Sequence, residues 1–193
     1  TGIDLYVEAR GFVPTREWKR TRFGERWYDG ETVVASIGQG YILVTPLELA
    51  VAYAAIASGG KVPAPHLVKR EVGSEDEPAL SLTVGSRSLS LIRQALEGVV
   101  KDLHGTGRRA DVPGVQAAGK TGTAQVVSLP EEDIPEEEID YYRRDHAWFV
   151  GYAPSRDPEI VVAVVVEHGG SGGKVAAPIF REIVREYFRG RKQ

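Results

Sequence analysis

The chain has 193 residues, 42% of them hydrophobic, with 24 Lys and Arg against 27 Asp and Glu for a formal net charge of −3. That length suits a single domain with a real core, and the slight acidity excludes the basic footprint of a nucleic-acid binder. Cysteine is absent, which excludes disulfides and thiolate metal sites, and the longest apolar run, 160–166, falls far short of the ~20 residues a membrane helix needs.

The opening residues are polar and charged, unlike a signal peptide, and the absence of methionine suggests a chain that continues something longer. Residues 1–35 have no clear period and read as an irregular, ordered excursion. Thr45-Pro46-Leu47-Glu48 is a capping box with proline at the first helical position. The helix it starts runs to Ala57, stops at Gly59, and is apolar on nearly every side, so it should be buried. A short strand is expected at 66–72. Leu89, Ile92, Leu96, Val99 and Leu103 then recur at helical spacing.

"VPGV" at 112–115 turns the chain into a strand over roughly 117–127. Residues 131–140 hold seven acids and read as a solvated loop, with a cleft-rim flap or docking surface as the functional alternative. Strands at 146–152 and 159–167 follow as a hairpin through Pro154, and a last helix at 176–188 presents Ile179, Phe180, Ile183, Val184 and Tyr187. Helices, then three successive strands, then a helix make an α+β pattern with an antiparallel sheet. The strand at 160–166 is apolar on both faces and so belongs in the centre of a sheet, covered by helices on both sides. The chain supplies it one neighbour only, leaving a bare apolar edge of the kind natural proteins avoid.

The chemistry gathers at "GKTGTAQ", 119–125. On a strand, Lys120, Gly122 and Ala124 face one way and Thr121, Thr123 and Gln125 the other. Threonine hydroxyls with a lysine ammonium suit a carboxylate, and Gly122 lets another backbone come close. K-T-G alone is a weak pattern, and a surface lysine in a turn is its bland reading. The four histidines, His66, His104, His146 and His168, are scattered without metal-ligand spacing.

Taken together, "TGIDL" (1–5), "PTREWK" (14–19), "SIGQGYILVTPLELA" (36–50), "GTGRRA" (105–110), "AGKTGTAQV" (118–126), "HAWFVGYAP" (146–154) and "EHGGSGGKVAAPIF" (167–180) resemble the C-terminal half of a penicillin-binding transpeptidase domain. "SIGQGY" followed by "TPLELA" is most similar to the class B enzymes of cell elongation, the penicillin-binding protein 2 group. Tyr6 and Val7 depart from the family's usual Pro-Gly in a loop. The resemblance implies a penicillin-binding/β-lactamase-like fold, an antiparallel sheet sandwiched by helices, of which residues 1–193 are the C-terminal part. It also implies a serine acyl-transfer enzyme that cross-links peptidoglycan stem peptides and is acylated by β-lactams, without a cofactor. In family terms Lys120 shapes the electrostatics beside the nucleophile, and Thr121, Gly122 and Thr123 line the carboxylate end of the substrate. The Thr123 N–H is an oxyanion-hole donor, and Gln125 lies further along the same track. The implied partners are the upstream half of the domain, a membrane glycosyltransferase and elongation proteins. The implied location is the extracytoplasmic face of the bacterial cytoplasmic membrane, with the anchor upstream.

The family's nucleophile is the serine of S-x-x-K, beside an S-x-N motif. S-x-x-K occurs twice, as Ser58-Gly59-Gly60-Lys61 and Ser171-Gly172-Gly173-Lys174. The lysine must lie one helical turn from the serine, and paired glycines end helices. Ser58 is expected at a helix terminus and Ser171 in a loop. With no asparagine, S-x-N cannot occur. The chain alone is therefore expected to lack a nucleophile and to be inactive, with the serine, its lysine and the neighbour of strand 160–166 upstream. A β-lactamase or β-lactam sensor, and a non-catalytic scaffold, remain the alternatives.

Overall fold

In a computed structural model of the chain, residues 1–68, 80–126 and 139–190 are described. Two short helices, α1 (Arg16–Phe23) and α2 (Asp29–Ser36), occupy the stretch expected to be irregular. Capping, not periodicity, makes them. Thr15 Oγ1 accepts the Trp18 N–H at 3.0 Å and Gly24 closes α1 in the left-handed conformation, while the Glu31 carboxylate accepts the Tyr28 N–H at 2.8 Å at the start of α2. Lys19, buried at 4% exposure, pairs with Glu31 and lies 3.5 Å from Glu25. Trp18 gathers Phe12, Phe23 and Tyr41 at centroid distances of 4.8, 5.5 and 5.1 Å.

α3 (Pro46–Ala57) starts on the expected capping box: Thr45 Oγ1 accepts the Glu48 N–H at 3.1 Å, and Glu48 accepts the Thr45 N–H at 2.8 Å. Glu48 also accepts the Gly11 N–H at 2.8 Å, so one carboxylate ties the N-terminal excursion to the helix. The expectation of burial on nearly every side is corrected: Ala55 and Ala57 are buried and the other α3 residues are half-buried or exposed, because the described residues cover one flank only.

The two-residue strands β1 (Lys61–Val62) and β2 (Leu80–Ser81) pair antiparallel. The strand expected at 66–72 is not found at 66–68, and 69–72 lie outside the described residues. α4 (Ser86–Lys101) buries Leu89, Leu96 and Val100. Ile92 is 40% exposed and Leu103, beyond the helix end, 73%. In the last turn the buried position is Val100, one residue past the expected Val99, which is half-buried.

The expected sheet is present, with β3 (Ala118–Ala124), β4 (His146–Ala153) and β5 (Ile160–Val166) in the order β3-β4-β5. Both pairings are antiparallel, with Thr123 opposite Ala147 and Phe149 opposite Val164. The two faces are packed differently. Ala147, Phe149, Ala153 and Val164 pack with Phe180 and Val184 of α5 (Ala177–Arg189), and the Phe149 and Phe180 rings are 4.7 Å apart. Tyr152 and Ala118 face the other way, onto Ala57 and Leu96 with Tyr53 and Val161. Burial, and then the neighbouring Tyr152, push the hydroxyl of Tyr53 on α3 up to about 12, and burial raises that of Tyr152 as well. β5 thus has a helix on each face, as expected, and among the described residues no strand lies on its outer edge. On α5 the buried stripe is Ala177, Phe180 and Val184, whereas Ile179 and Ile183 are 40% and 42% exposed. No helix among the described residues is long and apolar enough to cross a membrane.

Candidate active site

β3 is an outer strand, so every second residue turns its N–H and C=O outward. Thr123 is one of these: its carbonyl accepts a 3.0 Å hydrogen bond from Gln39 Nε2, far away in sequence. Thr121 has the same parity, and its carbonyl accepts Lys120 Nζ at 3.0 Å. The residues proposed from the sequence therefore line one open edge. Lys120 is exposed and borders a groove of about 390 Å³ with Gly98, Val99, Asp102, His104 and Thr106 at the end of α4. Thr121 and Thr123 project toward the opposite, α5 face. Lys120 nevertheless curls back to 3.3 Å from Thr121 Oγ1, a contact that simple alternation does not foresee. Gln125 follows the last β3 residue and is exposed.

Two loops brace this edge. The Gly107 N–H returns to the Val99 carbonyl at 2.9 Å, folding 102–107 against the end of α4. The fold-back needs glycine: a methyl group on Gly105 would stand 2.3 Å from the Val99 oxygen. It brings Thr106 Oγ1 to 2.9 Å from Thr121 Oγ1. On the other face a π-helical turn, Gly172–Ala176, leads into α5. A methyl group on Gly172 would lie 2.2 Å from the Trp148 oxygen and 2.3 Å from that of Gly122. The backbone that approaches Gly122 closely is thus the chain's own. Neither Thr106 nor Gly172 was assigned a role from sequence, although both lie in stretches, "GTGRRA" and "GGSGGK", that stood out there.

The serine candidates divide. Ser58 is the C-cap of α3, and its hydroxyl donates to the Ala55 and Lys61 carbonyls at 3.1 and 2.6 Å. Ser171 lies in the loop, as expected, immediately before the π-helical turn, with the Lys174 N–H 3.1 Å from its carbonyl. The correction concerns Gly172 and Gly173, which build that turn instead of ending a helix. The glycines there serve close packing on the sheet, which outweighs their low helix propensity. The histidines are not all scattered either. The His168 N–H donates to His146 Nδ1 at 2.9 Å, and the His168 ring packs on Tyr141 and Tyr142 at 5.2 and 5.8 Å. The long run of acids at 131–138 lies outside the described residues.

Residues 1–185 match the penicillin binding protein transpeptidase domain. The chain belongs to that family. Among its relatives, the peptidoglycan D,D-transpeptidase MrdA of Haemophilus influenzae is 38% identical over 99% of this chain and 31% of its own length. MrdA of Salmonella typhimurium is 36% identical over 97% of this chain and 32% of its own. The chain therefore spans about a third of these relatives. Two solved structures share the fold: the complex of penicillin-binding protein PBP2 with MreC from Helicobacter pylori (TM-score 0.81, 29% identity, 98% of this chain, 33% of that one) and Pseudomonas aeruginosa PBP2 with WCK 5153 (TM-score 0.77, 37% identity, 95% and 39%). The sheet with its flanking helices is the α+β architecture of this transpeptidase family.

Proposed function

We propose that this chain supplies the K-T-G-T wall of a peptidoglycan D,D-transpeptidase of the elongation type. The observation that carries the reading is the open β3 edge of a member of this family, which bears Lys120 beside a groove and turns the Thr121 and Thr123 backbone outward. A stem peptide can add to such an edge as an extra strand. Its terminal carboxylate would meet the Thr121 and Thr123 hydroxyls under the positive potential of Lys120. The Thr123 N–H, turned outward, would donate to the oxygen of the carbonyl under attack, a kind of contact worth about 10²–10³ in rate.

The nucleophile is assigned to a part of the domain outside these residues, because Ser58 is committed to two carbonyls at a helix end. That serine would attack the penultimate D-Ala carbonyl, breaking the amide bond and releasing the last D-Ala as its amine takes up a proton. An amine of a neighbouring stem would then displace the serine and regenerate its hydroxyl. Partners follow the same analogy: a membrane glycosyltransferase and other elongation proteins, on the extracytoplasmic side of the membrane. The H. pylori relative is known in complex with MreC.

The test uses the whole domain with a fluorescent penicillin. A stable adduct on an upstream serine, suppressed by Lys120→Ala, is the expected result. Rapid hydrolytic release would indicate a β-lactamase, and no adduct at all a scaffold.

A further inference from the structure

We propose that Gln39 is a displaceable placeholder on the substrate edge. Its side-chain amide holds the Thr123 carbonyl where a backbone N–H of an incoming peptide would pair, and it leaves when that peptide binds. The inference rests on the transpeptidase reading and goes beyond it.

The first support is the direction of the bond. β3 is unpaired on this side among the described residues, so the Thr123 carbonyl faces an open edge, and Gln39 Nε2 donates to it at 3.0 Å. A primary amide N–H is the side-chain group closest in chemistry to a peptide N–H, so Gln39 imitates the first hydrogen bond of an added strand. At the next outward carbonyl, that of Thr121, the donor is again a side chain, Lys120 Nζ at 3.0 Å. Both carbonyls flanking Gly122 on this edge thus carry side-chain donors from the chain itself.

The second support is how Gln39 is delivered. It sits between Gly38 and Gly40, at φ 76° and 79°, a left-handed pair that side-chain-bearing residues avoid. The Gln39 N–H is fixed to the Val34 carbonyl at 3.2 Å, and α2 is in turn anchored through Glu31 to buried Lys19. The backbone is held while the long, single-bonded side chain remains free to swing. The third support is the small cost of release: one neutral hydrogen bond at a partly exposed site contributes little net stability, and the freed amide finds water at once.

The decisive experiment follows acylation of the whole domain by a fluorescent penicillin and by a stem-peptide thioester, across a concentration series. Gln39→Ala removes the donor; Gln39→Asn keeps an amide one methylene too short to reach. Both should lower the half-saturating concentration of the peptide substrate by about 2- to 10-fold, the worth of one competing hydrogen bond. The Asn variant guards against a fold defect, and equal thermal midpoints for it and the parent are expected. An unchanged or raised half-saturating concentration in both variants would overturn the proposal and make Gln39 a brace for β3. Absence of any adduct in the parent domain would instead sink the transpeptidase reading, so the two failures are distinguishable.

Discussion

A hydroxyl on an edge strand is cheap to remove and informative when removed. Thr123→Val keeps the shape of the side chain and leaves the backbone N–H in place. If the hydroxyl holds the substrate carboxylate, acylation of the whole domain should lose about 1.5–3 kcal/mol of transition-state stabilisation; an unchanged rate would confine Thr123 to its N–H. Glu48 allows a second test. Hydrogen bonds from the Thr45 N–H first, then the Gly11 N–H, hold its carboxyl below the ordinary 4.5. A depressed folded pKa means stability that is present above the ordinary value and lost as pH falls through the folded one. Glu48→Gln should therefore lower the melting temperature at about pH 7, with the gap to the parent closing only as pH falls below the ordinary 4.5 and through the depressed folded value. A gap that stays constant would remove the charge from the account.

Among elements, the largest fully buried side chain of α5 is Phe180. Phe180 is fully buried against Phe149, and Phe180→Ala should cost about 3–5 kcal/mol, read by denaturant unfolding. The π-helical turn before α5 is more closely tied to the site, because Gly172 leaves no room for a side chain above Gly122. Gly172→Ala should cost about 1–3 kcal/mol as overpacking and slow acylation as well, since the relief must come from β3 or from the turn. Loss of stability with acylation intact would uncouple the turn from the site. Elements with strong local signals were legible: the box Thr45–Glu48 gave α3, and alternation with turn chemistry gave β3, β4 and β5. α1 and α2 were not, because each has only eight residues and is stabilised by caps and a buried lysine instead of an apolar stripe. The turn at Gly172–Ala176 was not legible, because glycine propensity argues against a helix there and the close packing on Gly122 and Trp148 leaves no sequence signal.

At the scale of the molecule, the two edges of the sheet differ in kind. The β3 edge carries Lys120 and two threonines; the β5 edge is aliphatic, Ile160–Val166. The first suits a polar peptide and the second suits permanent cover. Expressed alone, the chain should associate through β5 and form no penicillin adduct. Supplying the upstream part of the domain, in cis or in trans, should restore monodispersity and labelling together. An adduct on Ser58 or Ser171 of the isolated chain would overturn that assignment. The bare outer edge of β5 among the described residues was readable, because the run 160–166 is aliphatic throughout and the chain offers it one neighbour only. The role of Gln39 was not, since its bond to Thr123 spans two distant segments and leaves no local trace in either.

Trp148 stands directly opposite Gly122 in the β3–β4 pairing, and its indole N–H is buried without a hydrogen-bond partner among the described residues. The chain has three tryptophans, and the other two, Trp18 and Trp27, belong to the N-terminal excursion. Replacing these two with Phe would leave one fluorophore seated behind the K-T-G-T strand. On the proposed reading its emission should change when a β-lactam occupies the whole domain, and an unchanged spectrum would detach Trp148 from the site.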